Sequence, residues 1–283
     1  MFRQILVSML LIGTSFACVT VPKHSVWFPF EMKREKIRFP IGVKRETNIP
    51  AILDTGAGIT VIDSALARRL GIRANDRAWM ESLADSKYVE YAMGVPFNFY
   101  GAEIRLNVMI QDISFLGVEV LFGADLLRAA VVEFDFPEQK MRFHNLGGYF
   151  YAGPTKPIPL IRNQGRYDIE IDVNGKKTAL TVDTGASGSI SIPVSKEEVQ
   201  AKIKGGASLR TIRGANAEST EAFTEAAKPF QIGSYTIGNA SVEYYDRKDG
   251  GKIGGLLGMS LLKEFTVIFD TDHEAMYIEA YEQ

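Results

Sequence analysis

Apolar residues along the chain fall either at alternate positions or in short unbroken runs, and turns such as Asn174-Gly175 and Gly233-Ser234 end these segments after a few residues. A period of two, interrupted this often, predicts short strands, and the chain reads as mainly β. Helical signals are few. The stretch 63–70 is followed by Gly71, the residue type that closes helices, and Ser195 with Glu198 forms a capping box ahead of 199–203. Residues 1–17 follow a different pattern: Arg3 precedes the apolar run 5–12, with small Ser15 and Ala17 after it, the order of a secretory signal peptide. That run is shorter than the roughly 20 apolar residues a membrane-spanning helix needs.

Compared with itself, the sequence contains one unit twice. Ile52-Leu53-Asp54-Thr55-Gly56-Ala57 is answered by Thr181-Val182-Asp183-Thr184-Gly185-Ala186, each an apolar strand entering Asp-Thr-Gly-Ala. Further on, Leu121-Phe122-Gly123-Ala124-Asp125-Leu126-Leu127 is matched by Leu256-Leu257-Gly258-Met259-Ser260-Leu261-Leu262 at nearly the same interval, the difference being a loop insertion. Each copy closes alike, on 132–135 and 141–143 in one and on 267–270 and 276–278 in the other, which read as paired strands joined by turns. Between the copies, 147–159 is rich in Gly and Pro and reads as a linker. The expected organisation is a signal peptide at 1–17, a tether or N-terminal extension at 18–30, one lobe at 31–146, the linker, and a second lobe at 160–283.

Composition narrows the function classes. The 283 residues are 46% hydrophobic and 23% charged with a net charge of −2, an ordinary globular balance. Charges of both signs are interspersed, which argues against a nucleic-acid or polyanion partner. Cys18 is the only cysteine, so no disulfide forms within the chain. It follows the expected cleavage point directly. Cys18 there resembles the lipidated first residue of a bacterial lipoprotein, while Ser15 and Ala17 equally suit ordinary signal cleavage. The chain is therefore expected to be exported, either as an envelope-anchored lipoprotein or as a periplasmic or secreted form. His24, His144 and His273 lack metal-ligand spacing, and neither a metal nor a cofactor is expected.

A repeat carrying one Asp per copy can bring two carboxyl groups together across an approximate two-fold axis. Two carboxylates about 3 Å apart cannot both ionise comfortably and hold one proton between them, one acting as base toward a water while the other hydrogen-bonds a carbonyl. Such a pair titrates as a unit. Duplicated Asp-x-Gly turns also occur in phosphate loops of actin-like kinases, which Asp54-Thr55-Gly56 with Thr60 superficially resembles, but that fold needs long helices. Asp63, Asp125, Asp135 and Asp270 near the motifs read as helix caps and turn residues.

In these motifs the chain resembles the retropepsin-like and pepsin-like aspartic peptidases over nearly all of its length after residue 17. The resemblance implies an all-β, two-lobed fold with internal two-fold symmetry, catalytic Asp54 and Asp183, and turns cross-bonded through Thr55 and Thr184 with support from Gly56 and Gly185. It implies an endopeptidase acting on an extended polypeptide, complete within one chain and so monomeric. Gly58 and Ser187 occupy the position that contacts substrate backbone in the retroviral enzymes. Closing hairpins are expected at 79–91 and 209–223, with Gly214 at a tip. Ala57 and Ala186 stand where pepsin-like chains carry a hydroxyl that favours ionisation, so a weakly acidic optimum is expected. The alternative is a catalytically silent module of the same fold that binds or scaffolds in the cell envelope.

Overall fold

A computed structural model describes residues 19–20, 26–81, 86–213, 219–246 and 254–281. In the first lobe the strand Lys36–Val43 turns Ile37, Phe39, Ile41 and Val43 into the core and its other positions outward, the alternation that a half-buried strand demands. It pairs antiparallel with Glu46–Leu53, whose apolar end runs into Asp54. The strand Val120–Phe122 then slots beside that end, parallel to Glu46–Leu53 and antiparallel to Val61–Asp63. The second lobe repeats this. Arg166–Val173 pairs with Lys176–Val182, and Gly255–Leu257 lies parallel to the latter and antiparallel to Ile190–Val194. All three residues of Val120–Phe122 are buried, which explains the unbroken apolar run.

A six-stranded sheet joins the lobes. Its two central strands, Val131–Asp135 and Phe265–Asp270, come from different lobes and pair antiparallel, Val132 opposite Phe269 and Phe134 opposite Val267. The Phe134 and Phe269 rings meet edge to face across that seam, 6.1 Å between centroids. Each central strand is flanked by its hairpin partner, Lys140–His144 or Ala275–Ala280. Two short strands close the edges, Phe28–Pro29 and Ile158–Pro159. One hydrophobic core runs through both lobes.

The edge strands refine two expectations. Of the two readings of 18–30, tether or N-terminal extension, the described residues fit an extension packed on the fold: Val19–Thr20 pairs with Ala102–Gln111, Phe28 and Phe30 are buried, and Arg142 stacks 4.2 Å over the Trp27 ring. The linker 147–159 likewise ends inside a sheet, because Pro159 occupies an outermost strand, where a missing N–H costs nothing.

The two expected helices are Ser64–Arg69, capped by the Asp63 carboxylate on Ala65 N, and Lys196–Lys204, capped by Ser195 on Glu198 N. A third, Met259–Leu262, follows Gly258 and is too short to show a helical period. Antiparallel hairpins occupy both windows expected to close over a cleft, Asp76–Glu81 with Ser86–Phe99 and Leu209–Arg213 with Ser219–Ala226. Gly214, expected at a tip, and Cys18 with residues 1–17 lie outside the described residues. Among the described residues no helix is long and apolar enough to cross a membrane.

Candidate active site

Both Asp-Thr-Gly turns start from the same backbone anchor. Asp54 N donates to Phe122 O and Asp183 N to Leu257 O, each at 2.8 Å, so the inserted strand of each lobe holds the point where the aspartate leaves the sheet. Behind the turns, Ala124 N and Met259 N donate to the carbonyls of Ala57 and Ala186. A side chain on Gly123 or Gly258 would come within 2.8 Å of those same carbonyls, which is why the apolar-apolar-Gly element ends in glycine twice.

The threonines lock the turns to each other. Thr55 N donates to Thr184 Oγ1 and Thr184 N to Thr55 Oγ1, both at 3.0 Å. The hydroxyls in turn donate to strand carbonyls of the opposite lobe, Thr55 Oγ1 to Val182 O at 2.6 Å and Thr184 Oγ1 to Leu53 O at 3.1 Å. Both threonines are buried, so four polar groups that water cannot reach satisfy one another.

This clamp brings the two carboxyl groups together. Each lies over the glycine of the other turn: a methyl group on Gly56 would overlap the Asp183 carboxyl, and one on Gly185 the Asp54 carboxyl. The two carboxyls thus face each other across the paired turns, close enough to act on one another. Asp54 Oδ1 also accepts from Gly56 N at 3.1 Å and Ala57 N at 3.2 Å, whereas Asp183 Oδ1 accepts from Gly185 N at 2.6 Å. Burial, then the charge of the neighbouring Asp54 carboxyl, push the Asp183 carboxyl well above the usual carboxylate range; Gly185 N–H and the Lys36 ammonium pull the other way. Asp183 is the more deeply buried of the two. The pair therefore favours sharing one proton over holding two full charges.

The remaining expected positions divide. Gly58 packs under the opposite lobe's turn, where a side chain would meet Gln164 O at 3.1 Å. Ser187 is exposed, and its carbonyl accepts from Ser260 Oγ at 2.7 Å. Asp125 lies in a turn as expected, but its side chain does more: it is buried, its Oδ2 accepting from Thr60 N at 3.0 Å and its Oδ1 from the Thr60 hydroxyl at 2.8 Å. It buttresses the first lobe's turn from behind. Asp63 caps its helix, and the side chains of Asp135 and Asp270 accept from backbone N–H groups three residues on, as expected of turn residues.

Sequence reading missed Lys36 and Arg128. Lys36 Nζ donates to Gly185 O across the interface, and Arg128 Nη1 donates to Gly165 O at 2.8 Å. The repeat holds a trace of this, since Arg128 and Lys263 both directly follow Leu-Leu. Among the described residues no group of three or more His, Cys, Asp or Glu could hold a metal ion.

Two β lobes related by a pseudo-dyad, each contributing one carboxyl to a clamped central pair, define a bilobal acid-protease architecture. The profile of a family described as aspartyl protease matches the sequence twice, over residues 40–126 and 169–261, one match to each lobe. The chain belongs to the aspartyl protease family. No curated protein matches it.

Proposed function

We propose that the protein is an aspartic endopeptidase that hydrolyses peptide bonds of an extended polypeptide, with a water activated between Asp54 and Asp183. The observation that carries this reading is the carboxyl pair, each member seated over the glycine of the opposite turn and fixed by the reciprocal threonine clamp. With one proton on the pair, the ionised carboxylate takes a proton from water as its oxygen attacks the scissile carbonyl carbon, and the protonated carboxyl gives its proton to the carbonyl oxygen. The tetrahedral diol then collapses: the carboxyl that took the water proton gives it to the amide nitrogen, the other carboxylate takes a proton back from a diol hydroxyl, the C–N bond breaks, and amine and carboxylic acid leave with one proton again on the pair. No covalent intermediate is required.

The two hairpins at 76–99 and 209–226 support a substrate bound as an added strand, with backbone hydrogen bonds supplying affinity and side-chain pockets preference. Because both carboxyls come from one chain, the working unit is the monomer. The pattern of residues 1–17 supports export, and Cys18 directly after it supports a lipid anchor that envelope fractionation of wild type and Cys18→Ala would reveal.

The test is cleavage of a varied peptide mixture by wild type, Asp54→Asn and Asp183→Asn, with and without a transition-state mimic such as pepstatin. Turnover is expected in wild type at weakly acidic pH and lost in each variant. Cleavage that survives either substitution contradicts this mechanism, a pH profile rising steadily down to pH 2 contradicts the weakly acidic optimum, and a chain that binds peptides without cutting them is a silent scaffold.

A further inference from the structure

The first lobe sends one cation into the second lobe's carboxyl turn. Lys36 begins its strand directly after a two-residue turn, Arg34-Glu35, both at positive φ, with Lys33 paired to Lys36. The turn docks on the far lobe: Glu35 Oε1 lies 3.3 Å from Ser260 Oγ and 3.5 Å from Lys263 Nζ. With the hairpin held there, the half-buried Lys36 ammonium donates to the carbonyl of Gly185, two residues from Asp183.

The second lobe has the same hairpin but not the same cation contact. Its turn, Gln164-Gly165, is also at positive φ, and Asn163 pairs with Arg166, so Arg166 holds the position equivalent to Lys36. The Arg166 guanidinium instead reaches its own turn, donating to Gln164 Oε1 at 3.2 Å, and Arg128 holds Gly165 O. The duplication supplies matched frames, and the charge at the carboxyl pair comes from one side.

We propose that Lys36 is a positioning residue for the carboxyl pair, anchoring the second Asp-Thr-Gly turn through Gly185 O and setting, by its charge, the pH window in which the pair holds one proton. This rests on the pair being the reacting group. The direction is fixed by electrostatics: a nearby cation favours the ionised carboxylate, and its effect on Asp183 is in that sense. The other charged groups on the Lys36 hairpin are Glu31, Lys33, Arg34, Glu35 and Arg38, and Lys263 of the far lobe meets Glu35. Glu35 is engaged by Lys263, and the Lys36 charge acts on the Asp183 carboxyl beside the Gly185 carbonyl that it holds.

The experiment compares kcat/KM against pH for wild type, Lys36→Met, Lys36→Gln and Lys36→Arg on one peptide, and follows the aspartate carboxyl carbons by 13C NMR titration in the same proteins. Neutral residues at 36 are expected to move both limbs of the profile, and the pair's titration, upward by about one pH unit, with arginine restoring the wild-type position. Unchanged limbs and an unchanged titration in a folded Lys36→Met or Lys36→Gln protein overturn the proposal. If wild type cleaves no peptide, the peptidase reading fails by itself, and the NMR titration still decides what Lys36 does to the pair.

Discussion

Replacing Thr55 with valine removes one hydroxyl at nearly constant volume and tests the clamp on which the carboxyl pair depends. The hydroxyl accepts from Thr184 N and donates to Val182 O, and all three residues are buried. Valine leaves the Thr184 N–H with neither a partner nor water, a desolvation cost of about 1–3 kcal/mol, and forfeits the bond to Val182 O, worth about 1 kcal/mol. Thr55→Val should therefore lose about 2–4 kcal/mol, a large share of the 5–15 kcal/mol that stabilises a typical domain. Thr55→Ser keeps the hydroxyl and gives up only a methyl group, about 1 kcal/mol. Urea unfolding followed by circular dichroism measures both, and Thr184→Val should repeat the result because its hydroxyl makes the mirror-image bonds. The double valine variant should depart from the sum of the two, since the four bonds belong to one network. If Thr55→Val proves no less stable than Thr55→Ser, the reciprocal bonds are not what joins the turns.

Gly56→Ala and Gly185→Ala each place a methyl group where the opposite carboxyl sits, so turnover should fall about a hundredfold or more while the thermal unfolding profile stays cooperative; retained activity in either would mean the carboxyls lie elsewhere. The raised proton affinity of Asp183 has a stability consequence. The folded state binds its proton more tightly than the unfolded chain, so this stabilisation is complete below the ordinary carboxylate range and is lost as pH rises through the folded-state value. Asp183→Asn should accordingly be more stable than wild type at pH 8, on the order of 2 kcal/mol, with the gap closing by pH 4. Calorimetric melts across that range measure it, and a gap that widens toward low pH contradicts the assigned sign.

How much was legible in the sequence follows from how far each signal travels along the chain. The helix caps Asp63 and Ser195 bond two and three residues ahead, and the Asn174-Gly175 turn needs only its own two residues at positive φ, so all were readable locally. The carboxyl pair is a contact between distant residues, yet it could be inferred because duplication printed each half of it in the same words. Contacts that symmetry did not print were missed. Lys36 and Gly185 are 149 positions apart, and nothing at Arg166 announces the lysine's role. The edge strands Phe28–Pro29 and Ile158–Pro159 have two residues each, too few to carry a period, and their proline marks them locally as linker. Pairing to a partner over a hundred residues away decides them, at Met141 for Phe28 and Met276 for Ile158.

The two lobes also support the same turn with different chemistry, and that difference is measurable. Behind the first turn, buried Asp125 accepts from both the backbone N–H and the hydroxyl of Thr60, and the Thr60 hydroxyl accepts from Gly123 N at 3.3 Å. Behind the second, Ser260 holds the equivalent place and donates to Ser187 O from a more open site. Asp125→Ala strands two buried donors and opens a void, so it should cost about 2–4 kcal/mol, whereas Ser260→Ala should cost less than about 1 kcal/mol because water can replace its bond. Burial raises the proton affinity of the Asp125 carboxyl. A raised value in the folded state means the Asp125 contribution weakens as pH rises, so the penalty for Asp125→Ala should be larger at pH 5 than at pH 8. Denaturant unfolding of both variants at the two pH values separates these effects. Equal penalties at the two sites would mean that the first turn is held by its strand anchors alone and that Asp125 is a passenger in the core.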